Sequence, residues 1–116
     1  MILTELRKFE KYIDSYTFTQ YEQNGNNLRL KMIINFADKS KVFIKEIIIN
    51  GNKRKYGYNW INKDNELICR WDNAPDWPEI VTFPHHKHVR SEQNVKPSRN
   101  IEFSTIMNEL ITMMTK

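Results

Sequence analysis

The residues best suited to chemistry in this chain are clustered in the segment 70–88, which reads RWDNAPDWPEIVTFPHHKH. All three histidines of the chain lie there, at His85, His86 and His88. Histidine exchanges protons near neutral pH because its ordinary pKa is about 6.5, and it is also the commonest metal ligand in proteins. The clustering therefore predicts a functional site, built on acid–base chemistry or on a bound metal.

An extended backbone would place two of these imidazoles side by side, because successive side chains of a strand point to opposite faces. His86 and His88 would then share one face, while His85 and Lys87 would share the other. Cleavage of RNA requires a base that activates the 2′-hydroxyl, an acid that protonates the leaving oxygen, and cations that stabilise the charge on phosphorus. The pattern therefore favours metal-independent cleavage of RNA.

The other polar residues of the segment can be assigned to this reaction. His86 and His88 would act as general base and acid, in either order, and Asp72 would orient one of them by accepting its second N–H. Positive charge beside the phosphate would come from Arg70, Lys87 and His85. Base stacking and backbone contacts to the RNA would come from Tyr58, Trp71, Arg90 and Lys55.

The same residues also allow other interpretations. A proline-bounded segment with histidine and lysine can be a solvated loop without function, and Tyr56, Tyr58 and Trp60 have the spacing of core residues on a strand. A metal site is also possible, because imidazoles and a carboxylate suit zinc or manganese, and its ligands would be His85, His86, His88 and Asp72. Such a site would make the protein a metal-dependent nuclease. Because adjacent histidines rarely both reach one ion and no standard zinc spacing is present, we expect no metal and no cofactor.

Size and composition indicate one domain. The chain has 116 residues, enough for a single hydrophobic core, so we treat residues 1–116 as one unit. No apolar run approaches the roughly 20 residues that span a bilayer, and charges at Glu5 and Arg7 come too early for a signal peptide. The single cysteine, Cys69, is expected to pack in the core. A net charge of +4 permits binding to a polyanion. We expect a cytoplasmic protein.

Helical periodicity occurs at both ends of the chain. Ile2, Leu6, Phe9 and Ile13 recur with the spacing of an amphipathic helix. From Asn100 onward, apolar side chains again form one helical stripe that continues to the C-terminus. The sequence therefore predicts an N-terminal helix and a C-terminal helix, and one face of the protein must receive the second.

Between these helices the period is two, which is typical of strands. Side chains from Leu28 to Phe36 show the alternation most clearly, and Asn24-Gly25 and Asn50-Gly51 are strong hairpin signals. Five strands joined by short turns predict an antiparallel meander, because parallel strands need long crossovers. The fold class is therefore α+β.

Prolines interrupt the strand pattern after Asp72. Pro75, Pro78 and Pro84 each lack an N–H and bias the preceding residue toward extended geometry. The segment that contains the histidines is accordingly expected to be an ordered loop or an edge strand. The predicted site would lie on the last strand of the meander and on this loop.

Three motifs at these positions resemble the TumE-like toxins of bacterial and archaeal toxin–antitoxin pairs. They are Lys55-Tyr56-Gly57-Tyr58, the run from Arg70 to Pro75 (RWDNAP), and the run from Phe83 to Val89 (FPHHKHV). The order of elements across the whole chain also agrees. The family commonly has a histidine pair directly after the second motif, where this chain carries Asp76 and Trp77.

The resemblance implies a small cytoplasmic toxin that is neutralised by direct binding of an antitoxin with a DNA-binding helix-turn-helix. RNA as the target is our inference from the histidine, arginine, lysine and aspartate set, with a fold-level analogy to small ribonuclease toxins. The rival hypothesis is a non-catalytic protein whose same segment contacts a nucleic acid or a partner protein. Residues 100–116 could also pair with a second copy, which would make a homodimer.

Overall fold

In the computed structural model, which describes residues 2–116, seven strands form one antiparallel sheet in which each strand pairs with its neighbours along the chain. The elements are α1 (Ile2–Lys8), a 3-10 turn (Glu10–Tyr12), β1 (Ile13–Asn24), β2 (Asn27–Phe36), β3 (Lys41–Ile49), β4 (Lys53–Ile61), β5 (Leu67–Asp72), β6 (His86–Val89), β7 (Val95–Pro97) and α2 (Phe103–Met114). This order confirms the α+β meander with a helix at each end.

The predicted count of five strands is wrong, because the histidine segment itself forms β6 and a further strand follows it. A proline blocks ladder bonding only at its own position. Pro84 precedes β6, so the residues His86–Val89 keep all their N–H groups and pair with β5. Pro97 is the last residue of β7, which lies at the edge of the sheet, where a missing N–H is tolerated.

Both predicted hairpin turns are confirmed. Asn50 and Gly51 have φ angles of 55° and 75°, and Gly25 has a φ angle of 59°. Positive φ is required by the tight turns that match the twist of antiparallel strands, and asparagine and glycine adopt it at low cost. These turns connect β1 to β2 and β3 to β4.

One face of the sheet carries the core, and α2 packs on it. The helix buries its apolar stripe, which consists of Phe103, Ile106, Met107, Leu110 and Ile111. At the other end, α1 stops at Lys8 although apolar spacing predicted a longer helix, because Ile13 already pairs with Phe36 in the ladder between β1 and β2. In residues 2–116, none of the helices is long and apolar enough to cross a membrane.

A buried ionic network joins β3, β4 and the segment before α2. The carboxylate of Glu46 accepts hydrogen bonds from Arg54 Nη2 at 2.6 Å and Nε at 2.9 Å, and from the Tyr58 hydroxyl at 2.7 Å. Arg54 also donates to the Ile101 carbonyl at 3.0 Å. The network therefore holds the approach to α2 against the centre of the sheet.

Cys69 lies in the core, as predicted, and should be chemically inert. Burial raises the pKa of its thiol to about 12 from an ordinary value of 9.0. We expect no alkylation of the folded protein at about pH 8.5, where an unfolded thiol reacts readily as its thiolate. Because the unfolded state loses this proton first, stability from this group is present below pH 9 and falls as the pH rises toward 12.

Mass spectrometry after iodoacetamide treatment, with and without urea, would check this prediction. Modification of the sole cysteine only in urea is the expected result. Rapid modification without urea would show that the strand β5 opens far more readily than its burial indicates.

Candidate functional site

The two ends of the segment 70–88 lie on β5 and β6, and their side chains point to two opposite faces of the sheet. Asp72 pairs with His86 and Arg70 pairs with His88, while Trp71 pairs with Lys87 between them. Trp71 and Lys87 both donate hydrogen bonds to Glu109 of α2, at 2.5 Å and 2.7 Å. The alternation of strands therefore places Arg70, Asp72, His86 and His88 on the sheet face that turns away from α2, which we call the open face.

Three of these side chains form a cluster, the Asp72–His86–His88 cluster. Oδ1 of Asp72 lies 3.0 Å from Nε2 of His86, and Oδ2 lies 3.6 Å from Nε2 of His88. The two rings are 4.9 Å apart at their centroids. Side-chain exposure is 15% for Asp72 but only 2% for His86 and 6% for His88. Asp72 is therefore the member that solvent reaches most easily.

The backbone holds both imidazoles in orientation. Nδ1 of His86 lies 2.9 Å from the carbonyl oxygen of Pro84, and Nδ1 of His88 lies 2.7 Å from that of Glu92. A carbonyl oxygen only accepts, so each Nδ1 is the donor in its hydrogen bond. The ring of Trp77 covers His88 edge-on at a centroid distance of 6.1 Å. Each Nε2 consequently points at the carboxylate of Asp72.

A groove of about 350 Å³ leads along the open face to Asp72. Lys31, Lys45, Gly57 and Asp72 stand in one row across four strands, because each pairs with the next in the sheet register. Gly57 has no neighbouring atom within 4 Å of the place where a Cβ would stand, so it leaves room above the backbone. Asn59 also lines this groove, and its Oδ1 is buried without a hydrogen-bond partner.

The sequence analysis missed these groove residues, although signals for them were present. Lys31 and Lys45 alternate with buried apolar residues and therefore had to face away from the core. Gly57 interrupts an aromatic strand, and a glycine inside a strand often marks a site where a ligand approaches the backbone closely. Their alignment with Asp72 depends on the register of several strands, which the residue pattern does not state.

Two of the predicted cationic residues share the open face with the cluster. Arg70 lines the groove and is paired with Glu92 through two contacts, at 2.9 Å and 2.6 Å. Lys55 is exposed in the next row, opposite Ile47. Arg90 is exposed just beyond β6, with a φ angle of 68°. The positive charge predicted near the histidines is thus only partly assembled around them.

His85 and Lys87 lie away from the cluster, so the geometry does not support the role predicted for them beside a phosphate. Lys87 is paired with Glu109 on the α2 side. The ring of His85 stacks on Tyr56 at 5.8 Å, and its Nδ1 lies 2.9 Å from the Tyr56 hydroxyl. Burial, then Arg54 and His86, lower the pKa of His85. In the neutral tautomer with its proton on Nε2, His85 accepts this hydrogen bond from the hydroxyl.

Tyr58 and Trp71 are both 0% exposed, so the geometry does not support the role predicted for them in stacking on RNA bases. Their positions on the strands turn them toward α2 rather than toward solvent. The hydroxyl of Tyr58 is bonded to Glu46, and burial together with that carboxylate raises its pKa well above its ordinary value. The alternative reading of Tyr56, Tyr58 and Trp60 as core residues is confirmed.

Comparison with known proteins gives one result that bears on function. The family model described as Toxin TumE matches residues 2–116. Neither the curated proteins nor the solved structures contain a match to the chain. The matched range includes every helix and strand, the groove and the Asp72–His86–His88 cluster.

Proposed function

The chain belongs to the TumE toxin family, and from this premise we propose that it is a cytoplasmic toxin that cleaves RNA at the Asp72–His86–His88 cluster. Membership of the family makes it a toxin with an antitoxin partner. The observation that carries the proposal is the meeting of a lysine-lined groove with a carboxylate and two imidazoles on the open face. Phosphodiester cleavage requires both positive charge and groups of this kind.

The groove has the features needed for single-stranded RNA. The ammonium groups of Lys31 and Lys45 would attract the phosphates of the RNA. The space above Gly57 would let the RNA strand come close to Asp72. Phe43 is 38% exposed in the same groove and offers a surface for base stacking. In this proposal Phe43 takes the stacking role that the sequence analysis had given to buried aromatic residues.

Within the cluster, Asp72 is the group that a bound phosphodiester would contact first, because its carboxylate is more exposed than either ring. His86 and His88 lie directly behind it, with their Nε2 atoms 3.0 Å and 3.6 Å from its carboxylate oxygens. Proton transfer by the two histidines would therefore pass through Asp72 or would need a small opening of the site. Arg70 also lines this end of the groove, where it is paired with Glu92 at 2.6 Å.

The antitoxin is proposed to carry the helix-turn-helix DNA-binding domain that the resemblance implies, and to neutralise the toxin by direct binding. A homodimer formed through the C-terminal helix is not part of the proposal. The apolar stripe of α2 already packs against the sheet of its own chain, so it offers little apolar surface to a second copy.

A second candidate function is tight binding to RNA without turnover. The low exposure of His86 and His88 favours it, because a general acid or base must reach the proton that it transfers. The same groove would then bind RNA and block its use. The two candidates differ only in whether RNA is cut.

We expect the purified toxin to cut labelled single-stranded RNA, and Lys45→Glu to slow cleavage by at least about 10-fold. Each phosphate contact contributes on the order of 1 kcal/mol, and reversing the charge replaces attraction by repulsion. Denaturing electrophoresis of the RNA would measure the rate. The matched control is Lys63→Glu, because Lys63 is exposed in the turn between β4 and β5.

Cleavage that is slowed in Lys45→Glu and unchanged in Lys63→Glu would support the groove as the RNA site. Equal slowing in both variants would indicate a general effect of net charge instead. RNA that is bound by the unmodified toxin but left intact would contradict the nuclease and favour the binding alternative.

A further inference from the structure

We propose that the Asp72–His86–His88 cluster binds a divalent transition-metal ion, with zinc as the natural probe. The ligands would be one carboxylate oxygen and the Nε2 atoms of the two imidazoles, which all lie within 4.8 Å of one another. This set differs from the one weighed in the sequence analysis, where adjacent histidines argued against a common ion. His86 and His88 are two residues apart on β6 and share a face, and His85 is not required.

The hydrogen bonds of the two rings leave both Nε2 lone pairs available to a cation. Each Nδ1 donates to a backbone carbonyl, so a neutral ring carries its lone pair on Nε2. Both Nε2 atoms face Asp72, whose carboxylate also presents lone pairs. Acceptors that face one another at 3.0 Å repel unless a proton or a cation lies between them.

Additional protons would satisfy this arrangement less well than one metal ion. Two imidazolium rings with centroids 4.9 Å apart, both buried and sharing one carboxylate, would place like charges side by side in a poorly solvated site. A divalent cation is attracted to the carboxylate and accepts both nitrogen lone pairs. The carbonyl bonds at Pro84 and Glu92 are the kind of outer contact that orients metal-binding histidines in proteins.

The spacing of the ligand atoms agrees with a tetrahedral centre. Nitrogen and oxygen ligands lie about 2.0–2.2 Å from zinc, so two of them are separated by roughly 3.3–3.5 Å. Oδ1 lies 3.0 Å from Nε2 of His86 and Oδ2 lies 3.6 Å from Nε2 of His88, two separations close to that range but made by different carboxylate oxygens. Small rotations of the carboxylate would adjust both. Zinc sites with three protein ligands keep a fourth position for water and are typically catalytic rather than structural.

Metal binding by this cluster does not depend on the proposed function, although it would deepen it. A nuclease that uses a bound zinc ion would depend on metal, in contrast to the metal-independent reaction expected from sequence. The groove reaches the cluster at Asp72, so an ion there would lie at the end of the path proposed for RNA.

Titration of the metal-free, full-length protein with zinc chloride in a calorimeter tests the inference. We expect one ion per chain, and His88→Gln to bind zinc at least about 10-fold more weakly. Even residues that only hydrogen-bond to metal ligands typically reduce metal affinity by this factor when they are mutated. His85→Gln is the matched control, because this neighbouring histidine lies on the other side of the strand against Tyr56. The proposal would be overturned if the unmodified protein bound zinc as weakly as His88→Gln does. It would also be overturned if His85→Gln reduced the zinc affinity as much as His88→Gln.

A second measurement guards against misfolding of the buried variant. Cobalt(II) added to the unmodified protein should give the intense visible absorption of tetrahedral coordination, and zinc should remove it while magnesium should not, because magnesium prefers octahedral oxygen ligands. Absence of this absorption would count against the site. Zinc binding without RNA cleavage would contradict only the proposed function, and chelator-resistant cleavage without zinc binding would contradict only the metal site.

Discussion

We expect controlled induction of this toxin to arrest bacterial growth, and Asp72→Asn to abolish that arrest. The change keeps the size of the side chain but removes the negative charge between His86 and His88. It also replaces one carboxylate oxygen by an amide N–H₂, which neither orients an imidazole in the same way nor binds a metal ion. Loss of a group that transfers protons or holds the reacting centre typically costs at least about 100-fold in rate.

Growth curves after induction to equal protein level would measure this effect, with RNA from the same cultures examined for cleavage. Asp76→Asn is the matched control, because Asp76 is an exposed carboxylate of the neighbouring loop. We expect the unmodified chain and Asp76→Asn to arrest growth, and Asp72→Asn not to arrest it. Arrest by Asp72→Asn as well would show that toxicity does not require the carboxylate of the cluster, and it would favour binding without turnover.

Glu46→Ala should lower the free energy of unfolding by about 3 kcal/mol, since breaking a buried ion pair leaves its partner uncompensated. Glu46 is only 7% exposed and is the shared acceptor for Arg54 and Tyr58. Without it, the positive charge of Arg54 and the hydroxyl of Tyr58 would lose their shared carboxylate partner beside the core. For a domain of this size, the expected fall in Tm is on the order of 10 °C.

Urea denaturation followed by tryptophan fluorescence would test this prediction. Glu79→Ala serves as the control, because Glu79 is an exposed carboxylate of the loop between β5 and β6. We expect the control to change the unfolding free energy by less than about 0.5 kcal/mol. An equally small change for Glu46→Ala would mean that water, or a new position of Arg54, replaces the hydrogen bonds to the lost carboxylate with no loss of unfolding free energy.

The two predictions concern opposite faces of one sheet. The fold requires these faces to differ in composition. The core face must bury enough apolar surface for stability, and Glu46 is tolerated there only because Arg54 and Tyr58 satisfy it. The open face needs no such burial, so lysines and a strand glycine can line it. The proposed site consequently lies on the face that α2 does not cover.

Local features of the sequence were enough to predict the elements and their order. The period-two pattern of β2, the Asn50-Gly51 turn and the apolar stripe of α2 each act through neighbours close in the chain. The same alternation correctly placed His86 and His88 on one side of their strand. These inferences held because strand and turn geometry depend mainly on residues within a few positions.

Only the tertiary structure decided which face of the sheet α2 covers and which residues meet across strands. Alternation within one strand cannot tell whether Trp71 or Asp72 faces the helix, and this choice buried the aromatic rings that were expected to stack on RNA. The row that brings Lys31 and Lys45 to Asp72 depends on the register of three strand pairs. Register is set by turns and cross-strand packing together, so no single segment of the chain contains it.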